Sequence, residues 1–146
     1  MDINKLKRKF PSYFQNFKIP EWAEFQELEV YRACRSGKVD RESFLNSYEE
    51  HNFLISKERK NDPQEYSLST YTKYKDVRRF MAMTSDYGIP FVIAKGITHP
   101  ICGPSLETRI WKKHLGIKYR GSHVDWWLFT KAKPWEHFKE VKNNEH

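Results

Sequence analysis

A chain of 146 residues with a formal net charge of +7 has the length of one domain and can bury roughly 70% of the surface its unfolded form exposes. Only 38% of residues are hydrophobic and the mean hydropathy is −0.85. Because 16% are Phe, Trp or Tyr, rings supply much of the buried area, which excludes a disordered chain.

No apolar run approaches the roughly 20 residues that cross a bilayer, so no membrane partner is expected. Residues 1–10 are charged and no signal-type apolar segment follows them, so the expected location is cytoplasmic. Cys34 and Cys102 are too few for a disulfide framework and are read as packing thiols. The positive charge indicates an anionic partner and says nothing about fold.

Residues 2–10 read as a short basic helix stopped before Pro11, within an N-terminal basic and aromatic segment of residues 1–20. Pro20 suits the first position of a second helix carrying Trp22 and Phe25 on one face. Residues 28–34 alternate as a strand, with Leu28, Val30, Arg32 and Cys34 on one side. After a turn at 36–38, Asp40 is placed to cap a helix through His51 with Phe44, Leu45 and Tyr48 as its buried stripe.

Residues 61–63 break the chain, and 66–71 read as a short strand rich in hydroxyls. Tyr74, Val77, Phe80 and Met81 define a helix over 73–84, closed by Gly88 and Pro90. Residues 91–94 are the clearest strand, expected near the centre of a sheet. A Gly/Pro-punctuated loop fills 96–104 and a basic, ambiguous stretch fills 108–119. A last strand spans 122–129, with Val124, Trp126 and Leu128 on its apolar face and His123, Asp125 and Trp127 on a mixed one. Pro134 starts a terminal helix with Trp135, Phe138 and Val141, and 142–146 form a disordered tail. With no repeat or linker, residues 1–146 are one α+β domain: a central mixed or antiparallel sheet flanked by short helices.

Four constellations could carry chemistry. Arg32, a guanidinium on an apolar strand face, needs an anion: either Asp125 or a glutamate internally, or the phosphate of a ligand held as a fork. Ser67 and Ser69 share a strand face and could hold a ribose, or they are edge and capping residues. Lys95, His99 and Arg109, on or flanking the 96–104 loop, supply donors for an anion, although no Walker or dinucleotide motif is present. His123 and Asp125, two apart, could act as a catalytic acid/base pair with Trp127 as a stacking platform, or belong to the core. His99 and Cys102 form a single His-x-x-Cys, whereas a structural zinc site has two paired motifs, so no metal is assigned.

Residues 31–41 (Tyr-Arg-Ala-Cys-Arg-Ser-Gly-Lys-Val-Asp-Arg), 66–70 (Tyr-Ser-Leu-Ser-Thr), 94–98 with 102–104 (Ala-Lys-Gly-Ile-Thr and Cys-Gly-Pro) and 123–128 (His-Val-Asp-Trp-Trp-Leu) resemble blocks of small uncharacterised proteins of Firmicutes and their phages. The block order is also distantly similar to that of ADP-ribosyltransferases, whose fold is a split sheet. That resemblance implies NAD as the bound nucleotide, with Arg32 on its phosphate and Ser67 or Ser69 on its ribose; Asp125 stands where that family carries a glutamate. A His-Val strand is similar to that of RNA 2′-phosphotransferases, with Asp125 in place of their second histidine.

The expectation is therefore a protein that binds an anionic, nucleotide-like small molecule, NAD-derived or cyclic, as a sequestering or phage counter-defence protein. The alternatives are an ADP-ribosyl- or phosphoryl-transfer enzyme and a weak, nonspecific nucleic-acid binder. A homo-oligomer is compatible with all three.

Overall fold

In the computed structural model, which describes residues 2–84 and 91–142, six strands pair antiparallel into one sheet. They are β1 (Glu29–Cys34), β2 (Leu68–Tyr71), β3 (Val92–Ile97), β4 (Ser105–Glu107), β5 (His123–Trp126) and β6 (Phe138–Glu140), in the order β4-β5-β2-β1-β3-β6. Helices α1 (Ser47–Glu50), α2 (Tyr74–Thr84) and α3 (Thr108–His114) complete the expected α+β fold. Among the described residues no helix is long and apolar enough to cross a membrane.

The register sorts the side chains. Tyr31 pairs with Tyr71, Tyr71 with His123 and Ser69 with Asp125, so these residues share one face. Alternation places Arg32, Leu68, Thr70, Val124 and Trp126 on the other. Helix α2 covers the first face, where Val77 packs with Tyr31, Ala33 and Ile93. The second face is cored by Val30, Cys34, Phe44, Leu68, Val124, Trp126 and Phe138. A third, mostly aromatic cluster joins the N-terminal segment to Tyr66 and Trp127. Its tightest contact is Phe17 on Tyr66, with centroids 4.3 Å apart and planes within 4°.

Local propensity gave way to tertiary competition at several places. Residues 2–10 form 3₁₀ rather than α structure, followed by a second 3₁₀ segment, Ser12–Asn16. The Asn4 side chain exchanges two bonds with the Ile19 backbone and folds this segment back on itself. No helix follows Pro20: Trp22 stacks on His114 at 4.1 Å, and Glu24 bridges Ser105, covering the outer edge of β4.

The helix expected over 40–51 reduces to a 3₁₀ turn, Arg41–Ser43, and the single turn of α1, capped by Asn46 in a capping box with Glu49. The cause is Arg32. A continuous helix would need the carbonyls of Ser43 and Leu45 to accept from N–H groups four residues on, and Arg32 takes both.

Strand β3 runs beyond 94 to Ile97 and lies one strand from the edge, so β1 and β2 are the central pair. The ambiguous basic stretch resolves into α3, and β4 was not anticipated. The helix expected from Pro134 stops after one 3₁₀ turn, Pro134–His137, because Phe138 enters the core and β6 pairs with β3. The expected helix stop at Gly88 and Pro90, and the tail from 143 onward, lie outside the described residues.

Candidate functional site

Arg32 and the His123–Asp125 pair do not meet, because the register puts them on opposite faces of the sheet. Arg32 is 5% exposed. Its Nε donates to Ser43 O at 2.9 Å, Nη1 to Ser69 O at 2.9 Å and Nη2 to Leu45 O at 3.2 Å. The anion expected for it, carboxylate or phosphate, is replaced by three main-chain carbonyls that satisfy the fork from inside. Burial lowers its pKa, and the charge of Glu50 opposes that most strongly. Arg32 thus ties down the loop from Ser43 to Asn46 from inside the sheet.

That loop walls a cleft of about 540 Å³, within the usual range of small-molecule sites. Its rings include Tyr13, Phe129 and Trp135, all half-buried, and its cations are the exposed Arg41, Lys131 and Lys133. Glu49 is the one carboxylate among the lining residues, and it is engaged with the Asn46 N–H at 3.3 Å. Asn46 is itself committed, donating to Tyr13 Oη and Tyr66 O at 3.1 Å each. The cleft can therefore hold an anion beside an aromatic face, with no histidine or cysteine among its lining residues to act as acid or base.

The other face carries a chain of side chains. Asp125, fully buried, accepts from Ser67 Oγ and Thr108 Oγ1, each at 2.6 Å, and from Gln64 Nε2 at 3.3 Å. Thr108 Oγ1 also lies 2.6 Å from His123 Nδ1, and His123 Nε2 lies 2.8 Å from Ser69 Oγ. The Thr108 proton goes to Asp125, so Nδ1 must donate to Thr108. In the neutral ring Nε2 then accepts the Ser69 proton. Burial lowers the His123 pKa, against the pull of Asp125 and with a further push from Arg32, which favours that neutral form. The Tyr71 ring meets His123 edge-on at 5.3 Å.

The remaining expected site residues are dispersed. Trp127 is fully buried and its Nε1 donates to Pro63 O at 3.0 Å, so its ring has no open face for a base; it is a core residue. Lys95 is exposed on β3, three strands from β5 and so about 14 Å away at the usual strand spacing, with its Nζ over the Tyr31 ring. His99 caps a 3₁₀ turn through Nδ1 and stacks on His137 at 4.6 Å. Arg109 is 61% exposed and pairs loosely with Glu107.

The sequence reading overlooked Thr108, Gln64, Arg41, Lys131, Lys133 and Trp135. A usable signal existed only for the last three: cations alternating with an aromatic in an irregular segment, residues 131–135. Among the described residues no group of three His, Cys, Asp or Glu comes together to hold a metal. Burial raises both thiols, Cys34 to about 11. Against protein-family models, curated proteins and solved structures this chain has no significant match, so the site is argued from its geometry.

Proposed function

We propose that this protein binds an anionic, nucleotide-like small molecule, NAD-derived or cyclic, in the cleft beneath the Ser43–Asn46 loop. The observation that carries the reading is the gathering of Arg41, Lys131 and Lys133 around Trp135 and Tyr13 with only Glu49 opposing them. Cations take the phosphate and Trp135 takes the base, the role first expected of Trp127. With Glu49, the one lining carboxylate, engaged by the Asn46 N–H, the lining favours holding a ligand over turning it over, in line with a sequestering or counter-defence role.

An ADP-ribosyl-transfer scheme is less favoured, since it needs Arg32 and the serines around one ligand and the sheet lies between them. Nonspecific nucleic-acid binding would need only the charge, and would weaken steeply with salt through counterion release.

Calorimetry with NAD, ADP-ribose and cyclic nucleotides at fixed salt tests the reading. Trp135→Ala should weaken binding roughly 5- to 150-fold, the measured range for base stacking. A Lys131→Ala/Lys133→Ala double variant should weaken it further for ligands with more phosphates. Binding of none of these ligands, or binding indifferent to both variants, overturns it.

A further inference from the structure

On the face opposite the cleft, we infer that Ser69 is a nucleophile activated by His123, making a second site suited to phosphate esters. The hydrogen-bonded chain has a direction. Asp125 is sealed by Ser67, Thr108 and Gln64, Thr108 fixes the proton on Nδ1 of His123, and the polarity runs outward to Ser69 Oγ at 2.8 Å. Ser69 is half-buried, unlike Ser67, Thr108 and Asp125, which are sealed inside. Among the described residues its hydroxyl enters no other hydrogen bond, and its proton is held by a base.

The substrate class follows from what flanks the chain. Thr108 begins α3 and His123 begins β5, and the segment joining them lines an open cavity of about 480 Å³ with Arg109, Lys113, Lys118, Tyr119 and Arg120. Four cations with a tyrosine form a surface for a phosphate-bearing group. Burial raises the Tyr119 hydroxyl, and the charges of Asp125 and Asp76 add to the effect.

In the reaction, Ser69 Oγ attacks phosphorus as its proton passes to His123 Nε2. The bond from phosphorus to the leaving oxygen breaks, and that oxygen takes the proton from His123. Water then attacks the phosphoserine, giving its proton to His123, which returns it to Ser69 Oγ as phosphate leaves. Ser69 and His123 are the catalytic residues. Thr108 and Asp125 are positioning residues.

A neutral alkyl fluorophosphonate tests the nucleophile without relying on the basic cavity or the cleft. The Oγ–P bond forms, the P–F bond breaks and fluoride leaves, with the serine proton passing through His123 to solvent. Mass spectrometry of the intact folded protein should show one adduct, mapped to Ser69 and absent in Ser69→Ala. His123→Gln should slow labelling about 100-fold or more. In wild type the rate should rise with pH through the titration of His123, which faces Asp125 on its own strand, Tyr71 on β2 and, across the sheet, Arg32 on β1. Thr108→Val should displace that profile, whereas a packing role would alter only stability. No adduct, an adduct elsewhere, or a rate unchanged by His123→Gln in protein whose circular dichroism is native overturns the inference. Ligand binding in the cleft, measured on Ser69→Ala, stands or falls separately.

Discussion

The two faces of the sheet bury polar groups by opposite means. On one, Arg32 spends its donors on three main-chain carbonyls; these acceptors are fixed by the backbone, so the guanidinium becomes a clamp that shapes a neighbouring loop. On the other, His123 and Asp125 are satisfied by side chains, and the series ends on a half-buried hydroxyl. A buried charge closed by backbone contributes architecture, whereas a chain of side chains with an open end can move a proton. The residue that looked most functional from its pattern is the one turned inward onto backbone carbonyls.

This contrast can be broken most forcefully at the floor of the Arg32 face. Trp126 is fully buried and its Nε1 donates to Gly103 O at 3.1 Å. Trp126→Ala should cost about 3 to 5 kcal/mol, as large aromatic truncations in cores do. A urea midpoint equal to that of wild type would show that this face is not the core.

Arg32→Lys comes next. A lysine keeps the charge but cannot span three carbonyls, and each buried acceptor left without a donor costs about 1 to 3 kcal/mol. We expect a loss of about 2 to 4 kcal/mol, together with weaker ligand binding because the loop wall shifts. Unchanged stability with lost binding would instead make Arg32 a ligand contact.

The His123 face should register acid. Its folded pKa lies below the ordinary imidazole value of about 6.5, so on acidification the unfolded chain takes this proton first. The stability tied to the neutral ring is present above about pH 6.5 and is lost as pH falls from there toward the folded value. Denaturation between pH 7 and 5 should show this loss in wild type, and His123→Gln should flatten it. An identical slope in both proteins would place the titration elsewhere.

The smallest effect is expected at the open end. Ser69→Ala removes the donor to His123 Nε2 at a half-exposed position and should cost about 1 kcal/mol, the low end for an acceptor left without a donor, while abolishing any chemistry at that site. A cost near that of Arg32→Lys would mean that both networks are closed, and the difference between the faces would disappear.

The α+β class, β1, the α2 helix, β5 and the sharing of a face by Ser67 with Ser69 and by His123 with Asp125 were legible in the sequence, because strand alternation and helical spacing are local properties that a chain carries unaided. The short helices were misjudged where a distant group took their backbone: Arg32 drew the carbonyls of Ser43 and Leu45, Glu24 paired with Ser105, and β6 formed where Phe138 could reach the core. Which face of one strand meets which face of another depends on register across turns and crossovers. Only the folded sheet therefore decided that Arg32 and His123 stand apart, that Trp127 is sealed while Trp135 lines a cleft, and that Thr108 arrives from α3 to complete the proton chain.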